Sequence, residues 1–239
     1  ELLENPQGKR WYEMSQKSPE EGVKAAIEAV ISMQTGVPVF QSDKLAGAAW
    51  TQATKAAEQW NRPGVFTTLH GFEWTSAPGG NNLHRTVIFR DNAERVNQVL
   101  PFSAFDSSDP ARLWEYMDAY SRKTGGQVLA IPHNGNLSNG MMYSAETFDG
   151  KPMDRAYAEA RASHEPLLEA TQIKGDGETT PYLSPNDEFA DFERWDVDFG
   201  KMARAQDNVL HANYARSALK LGLELEVKLG ANPYQAGMI

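Results

Sequence analysis

Residues 67–90, TTLHGFEWTSAPGGNNLHRTVIFR, predict two strands on either side of a turn. Residues 65–73 combine β-branched and aromatic side chains, which favour strands, and residues 84–90 predict the returning strand. Glycine and asparagine fill the segment between them, and both residue types accept the positive φ that turns need. The stretch therefore predicts a hairpin or two neighbouring strands.

Helix-like and strand-like segments alternate along the rest of the chain. QVLAI (residues 127–131) predicts a buried strand, and LLEATQI (residues 167–173) predicts a further one. Caps and helical spacing predict helices over residues 18–35, 42–61, 109–124 and 154–163, and one long helix or two over residues 202–229. This alternation, without an internal repeat, is typical of a single α/β domain over residues 1–239 with mainly parallel strands.

The composition excludes several classes of function. The 239 residues are 41% hydrophobic, which is enough for a core. The net charge of −9 argues against nucleic acid and anionic membranes, because both need a basic face, but it does not oppose a small anionic substrate. The chain has no cysteine, so thiolate metal sites and cysteine nucleophiles are excluded. No apolar run approaches ~20 residues, so no membrane span is predicted.

Strand ends carry the residues that could do chemistry. Glu73 lies near the end of the first predicted strand, His133 follows the QVLAI strand, and Lys174 follows the LLEATQI strand. Because the carboxyl ends of parallel strands meet at one edge of a sheet, we expect these side chains to lie close together. Glu73, His84 and His133 form a set that suits zinc, manganese or iron. Lys174 could bind a substrate anion.

Each of these residues also has an ordinary structural interpretation. Glu73 could be a salt-bridged strand-end acid, His84 a turn cap and Lys174 a solvated loop residue. His70 is one residue off the alternation of Glu73, so it either supports a ligand from behind or lies on the surface. Glu169 either orients a ligand in the same way or is a charge at a sheet edge. No HExxH, GxSxG, Walker or GxGxxG motif favours another mechanism.

The chain resembles a large bacterial family along nearly its whole length. The resemblance rests on the segments HGFEWTSAPGGNNLHRTVIFRD, LPFSAFDSSDP, AIPHNGNLSNGMMY, EATQIKGDGE and ARSALKLGLELEVKLGANPY. This is the PHP-like (polymerase and histidinol phosphatase) family, long carried under a domain-of-unknown-function label. Its members are distorted β/α barrels whose two- or three-metal cluster hydrolyses phosphoesters. By resemblance, its metal-ligand positions fall on Glu73, His84 and His133.

The sequence departs from the PHP pattern at both ends. PHP clusters also use an HxH pair, an aspartate-histidine pair and a late DxH pair, but no HxH or DxH occurs in this chain. We therefore expect an incomplete PHP-like barrel that lacks N- and C-terminal portions of the domain. A truncated barrel exposes sheet edges, which favours self-association. The resemblance implies a bacterial protein and leaves both the cytoplasm and the periplasm open.

The resulting functional hypothesis is a metal-dependent hydrolase of phosphate-type esters, with sulfate and phosphonate esters as alternatives. Asn134, Asn136 or Lys174 would orient the small anionic ester substrate. A first rival is a catalytically inactive fragment. A second is a non-enzymatic metal- or partner-binding module that uses the acidic loop of residues 174–191.

Overall fold

Helices and short strands alternate in the computed structural model, which describes residues 3–35, 42–195, 197–198, 203–204 and 206–239. The helices are α1 (Pro6–Lys17), α2 (Pro19–Thr35), α3 (Asp43–Trp60), α4 (Ala93–Val96), α5 (Pro110–Thr124), α6 (Arg155–His164) and α7 (Ala215–Leu229). The strands are β1 (His70–Trp74), β2 (Arg85–Phe89), β3 (Val128–Pro132), β4 (Leu167–Leu168), β5 (Thr171–Gln172), β6 (Gly175–Asp176), β7 (Val197–Asp198), β8 (Ala203–Arg204) and β9 (Gly237–Met238). The described strands close no barrel, so the fold is α/β at the coarse level.

The main sheet has the order β1-β2-β3, and both of its strand pairs are antiparallel. The prediction of mainly parallel strands is therefore wrong for this sheet. β1 and β2 are joined by a turn region rather than by a crossover helix, and such a connection reverses the strand direction. The connection from β2 to β3 contains α5 but returns the chain beside β2 in the opposite direction. β4 and β9 do pair in parallel.

Capping residues set several helix boundaries. Asp109 accepts a hydrogen bond from the Ala111 N–H at the start of α5, and Gly125 ends that helix with a left-handed φ of 68°. Asp154 caps α6 in the same way. These starts agree with the sequence because the cap is a local interaction. None of the helices in the described part of the chain is long and apolar enough to cross a membrane.

Other predicted boundaries are wrong. β1 begins at His70 rather than at residue 65, and residues 167–173 divide into β4 and β5. The last long helix begins at Ala215, after a 3₁₀ turn; Met202, where it was predicted to begin, lies outside the described residues. α1 was not predicted, because its sequence has no clear apolar period.

The inner face of the main sheet packs against helices in an aromatic core. Phe89 on β2 lies 4.8 Å from Tyr120 of α5 and 6.2 Å from Trp50 of α3, measured between ring centroids. The buried core residues here are Trp50, Trp74, Val87, Phe89, Val96, Leu113, Trp114, Met117, Tyr120 and Ala130. Burial of one sheet face leaves the other face of β1–β3 available for polar side chains.

We expect Gly71→Ala to destabilise the sheet by about 1–3 kcal/mol, the usual range for overpacking. A Cβ at Gly71 would lie 2.6 Å from the backbone oxygen of Val87 on the neighbouring strand. The free energy of unfolding, measured by urea denaturation, checks this. Gly22→Ala in α2 is the matched control, since its Cβ would meet only Ser15 Cα at 3.6 Å. It should be stabilising by about 0.5–1 kcal/mol. Equal changes in the free energy of unfolding for the two variants would contradict a clash between the new Cβ and Val87.

Candidate functional site

Three candidate residues meet at one edge of the main sheet. β1 and β3 both run antiparallel to β2, so the ends of β1 and β3 lie beside the start of β2. Glu73 lies near the end of β1, His84 directly precedes β2 and His133 directly follows β3. The backbone N–H of His133 donates to the His84 carbonyl at 3.0 Å, which extends the ladder to these two residues. The predicted proximity thus arises from an antiparallel arrangement rather than from parallel strand ends.

The three side chains also share the face of the sheet that is turned away from the aromatic core. Glu73 pairs with Thr86 across the β1–β2 ladder, whereas the buried Trp74 pairs with the buried Arg85. Since side chains alternate between faces, His84 projects on the side of Thr86 and Glu73. The Glu73 side chain is 45% exposed, while His84 and His133 are 17% and 20% exposed. A ligand could therefore approach this group from the Glu73 side.

The carboxylate of Glu73 lies between the two imidazole rings. Its Oε1 is 2.8 Å from Nδ1 of His84 and 3.9 Å from Nε2 of His133. The shorter contact is off the direction of a ring N–H, and His84 Nδ1 has no aligned hydrogen bond among the described residues. The ring centroids of His84 and His133 are 6.4 Å apart. Glu73 therefore lies in close contact with the His84 ring without an aligned hydrogen bond to it.

Glu169 fixes the orientation of the His133 ring. Nδ1 of His133 lies 2.9 Å and 3.0 Å from the two carboxylate oxygens of Glu169, and the backbone N–H of Asn134 donates to the same carboxylate at 2.8 Å. A carboxylate partner requires the proton on Nδ1, which leaves Nε2 as the basic nitrogen on the Glu73 side. Histidines that bind metal ions are usually oriented by such a carboxylate.

The electrostatics of the group follow from these contacts. The contact with His84 lowers the pKa of Glu73 against the effect of its partial burial, with smaller contributions from His133 and Lys174. Burial lowers the pKa of His84, although Glu73 acts in the opposite direction. Near neutral pH the group therefore contains an ionised carboxylate beside a neutral imidazole, which is the protonation state that a metal ligand set needs.

The remaining predicted residues are placed differently from one another. Lys174 is half-buried and close enough to act electrostatically on Glu73 and His84. The Asn136 amide nitrogen donates to the backbone oxygens of Lys174 and Trp195, so it holds this loop in place. Asn134 has a left-handed φ of 56° and is buried. Its amide oxygen and nitrogen have no hydrogen-bond partner within the described part of the chain.

His70 is not brought into the group. It begins β1, three residues before Glu73, and is buried on the core side of the strand. Its Nε2 lies 3.1 Å from the Glu58 carboxylate of α3, which also accepts the backbone N–H of Ala93 at 2.7 Å. The spacing of three residues puts His70 on the opposite face of β1 from Glu73. There its contact with Glu58 connects the sheet to α3.

Sequence reasoning missed a buried charged triad on the other side of β2. Glu165, the residue that follows α6, accepts hydrogen bonds from Arg85 Nε and Trp114 Nε1, both at 3.0 Å, and its second oxygen lies 3.0 Å from Arg161 Nη2. Arg85, Arg161 and Glu165 are all at most 4% exposed. One signal was present: Arg85 stands at an inward position in the alternation of RTVIF. A buried charge at such a position requires a partner.

The donor chemistry at the sheet edge fits one divalent cation. Two imidazoles and a carboxylate are suitable ligands, and tetrahedral ligands about 2.1 Å from one ion are about 3.4 Å apart. The 3.9 Å between His133 Nε2 and Glu73 Oε1 is close to that separation. As placed, however, no three His, Asp or Glu side chains among the described residues form a ready metal-binding group. Oε1 of Glu73 instead lies in contact with His84.

Comparison with known proteins gives one family. The model of the family described as "Protein of unknown function (DUF3604)" matches residues 1–239, the whole chain. No curated protein and no solved structure matches the chain. The family description states no activity.

Proposed function

We propose that this chain, which belongs to the DUF3604 family of proteins of unknown function, is a metal-dependent hydrolase of phosphate-type esters, with sulfate and phosphonate esters as alternative substrates. The PHP-like identity and an incomplete distorted β/α barrel belong to this proposal. It rests on the residues at the edge of the β1–β3 sheet, which are those that match the PHP motifs.

The observation that carries the proposal is the position of His133 between two carboxylates. Glu169 contacts Nδ1 at 2.9 Å, while Nε2 faces Glu73 at 3.9 Å. An imidazole fixed from behind by one acid and turned towards another acid is arranged as a ligand rather than as a surface histidine. The convergence of His84 on the same Glu73 oxygen supplies the third donor.

Each residue then has a defined task. Glu73, His84 and His133 would hold a zinc, manganese or iron ion, which supplies a bound water of lowered pKa and stabilises charge on the ester oxygens. Glu169 keeps His133 in the tautomer whose Nε2 is free to bind. Lys174, which acts electrostatically on Glu73, would attract the anionic group of the ester and favour its approach. Asn134 offers an amide next to His133 that has no partner among the described residues.

The proposal is tested by metal content and turnover together. Protein loaded with Mn²⁺ or Zn²⁺ should retain at least one equivalent after dialysis and should hydrolyse p-nitrophenyl phosphate, and a chelator should abolish turnover. Glu169→Gln should weaken metal affinity by about 10–100-fold, because it removes the partner that orients His133. His211→Asn is the control, since His211 is exposed and in the 3₁₀ turn before α7. Less than one equivalent of metal, unchanged in Glu169→Gln, would contradict the site.

A catalytically inactive metal- or partner-binding module is the second candidate. The observation in its favour is that the described residues do not form a ready group of three metal ligands, which the hydrolase needs and a partner-binding module does not. The acidic loop of residues 174–191 gives it less support, because Arg216 of α7 contacts Glu178 and Asp187 at 2.6 Å each. These ion pairs neutralise part of the acidic surface. Metal binding without turnover on phosphate, sulfate or phosphonate esters would favour this candidate over the hydrolase.

A further inference from the structure

A cavity of about 270 Å³ lies next to the buried triad. Its lining includes Arg85, Arg161 and Tyr157, together with residues from the loop after β3 such as Ser144 and Thr147. Because Arg85 and His84 are consecutive in an extended chain, this cavity lies on the opposite side of β2 from the candidate metal ligands. Its volume is just below the usual 300–1,000 Å³ range of small-molecule pockets. It therefore suits a small group rather than a large ligand.

The wall of the cavity carries an excess of positive charge. Two guanidinium groups face one carboxylate in the triad, and both lie within hydrogen-bonding distance of Glu165. A buried net charge is unfavourable unless a counter-charge completes it. Two other acids are near: Glu146 is in the lining but exposed, and Asp109 caps α5 beside the lining residue Pro110. The buried charged side chains of the lining are therefore the two arginines, and its one acid, Glu146, is exposed.

Several donors of this wall have no protein acceptor in the described part of the chain. Arg85 uses Nε for Glu165 and Nη1 for the Leu83 carbonyl, while no hydrogen bond to a described residue involves its Nη2. Arg161 Nε is buried and has no acceptor among the same residues. The Tyr157 hydroxyl also makes no hydrogen bond to a described residue. Burial raises the pKa of Tyr157 to about 12, although the charge of Arg161 lowers it, so the hydroxyl keeps its proton and can donate. These unused donors suit a ligand that supplies acceptor atoms.

We propose that this cavity is a binding site for a small oxyanion, either inorganic phosphate or sulfate or the carboxylate of a small molecule. The anion would neutralise the excess charge of the triad and accept hydrogen bonds from Arg85 and Tyr157. Guanidinium groups bind such planar or tetrahedral oxyanions with two parallel hydrogen bonds. This site is separate from the sheet edge and does not depend on the hydrolase proposal.

Isothermal titration of the full chain with inorganic phosphate, in the presence of EDTA, tests the proposal. One site per chain is expected, with sulfate and acetate as competing probes and chloride at equal ionic strength as the blank. Competition by sulfate alone identifies a phosphate-type anion, and competition by acetate identifies a carboxylate site. Arg85→Lys and Tyr157→Phe should each weaken binding by about tenfold or more, since each removes a hydrogen bond to a charged group.

Matched variants distinguish binding in this cavity from binding at the sheet edge or on the protein surface. Arg10→Lys and Tyr12→Phe change exposed residues of α1 that are distant in sequence from the cavity lining, and they should bind phosphate like the wild type. Tyr157→Phe keeps the ring against Trp114, so it tests the site even if Arg85→Lys does not fold. His133→Ala should also leave phosphate binding unchanged. No binding by the wild type, or binding lost in His133→Ala but retained in Tyr157→Phe, would overturn the proposal.

Discussion

Glu165→Ala is expected to lower the free energy of unfolding by about 3–5 kcal/mol, the cost of removing one partner from a buried ion pair. The substitution would leave Arg85 and Arg161 with positive charges that are buried and uncompensated, and it would remove the acceptor of Trp114 Nε1. Trp114 belongs to the aromatic core, whereas Arg161 also contacts the Tyr234 ring at 4.6 Å. Glu165 therefore connects two packed regions of the molecule.

Urea denaturation of the variant beside Glu159→Ala measures this effect. Glu159 lies within α6, the helix that ends just before Glu165, and forms an exposed ion pair with Arg155, so its removal should change stability little. If Glu165→Ala and Glu159→Ala unfold at the same urea concentration, the triad does not stabilise the fold. A general loss of α6 structure would lower the stability of both variants, so a loss confined to Glu165→Ala is assigned to the triad.

The contribution of Glu165 should also depend on pH. Burial would raise the pKa of Glu165, but Arg161 and Arg85, with hydrogen bonds from Arg85 and Trp114, outweigh burial and hold the pKa below its usual 4.5. A lowered pKa in the folded state stabilises the fold above pH 4.5, and this stabilisation is lost as the pH falls through the folded-state value. The difference between wild type and Glu165→Ala should therefore shrink in acid. A difference that grows below pH 4.5 would contradict the assignment.

Glu73→Ala should reduce kcat/KM for phosphate ester hydrolysis by more than about 100-fold. The expected loss is larger than the roughly 10–100-fold typical of removing a residue that only orients a metal ligand. Glu73 is the residue that both His84 and His133 face, so its loss removes the shared carboxylate of the group. Because its side chain is 45% exposed and outside the aromatic core, the fold should remain intact.

Turnover with Mn²⁺, bound metal per chain and far-ultraviolet circular dichroism together measure this effect. Glu115→Ala is the matched control, since Glu115 is an exposed acid of α5 that forms an ion pair with Arg112. Hydrolysis by Glu73→Ala within a few-fold of the wild type would place the chemistry elsewhere. Lost turnover with unchanged bound metal would assign Glu73 a catalytic task other than metal binding.

Local signals allowed the hairpin and several helix starts to be predicted from the sequence. The glycine- and asparagine-rich turn after β1 and the caps Asp109 and Asp154 act over a few residues, so their sequence context contains the information needed. The direction of β3 relative to β2 does not have such a signal. The segment between β2 and β3, which contains α5, is long enough for either parallel or antiparallel pairing, and packing selects between the two.

The candidate group could be predicted from the sequence, but the predicted cause of its proximity was wrong. Glu73 and His133 were expected together because parallel strand ends coincide. In the structure they coincide because two strands that flank an antiparallel neighbour are parallel to each other. The triad could not be found from strand ends, since Arg85 is distant in sequence from Arg161 and Glu165. Only the inward position of Arg85 indicated it.

Because β2 is the central strand, a change in its register would affect both faces of the sheet. His84 and Arg85 are consecutive residues that serve opposite sides of the sheet: one faces Glu73 at 2.8 Å, and the other faces Glu165 at 3.0 Å. A slip of one residue between β2 and its two neighbours would exchange them, because side chains alternate with period two. An insertion or deletion within β2 would thus disrupt the contact of His84 with Glu73 and the ion pair of Arg85 with Glu165 at the same time. An insertion in the turn before His84 would spare both, so length variation among natural relatives should concentrate there.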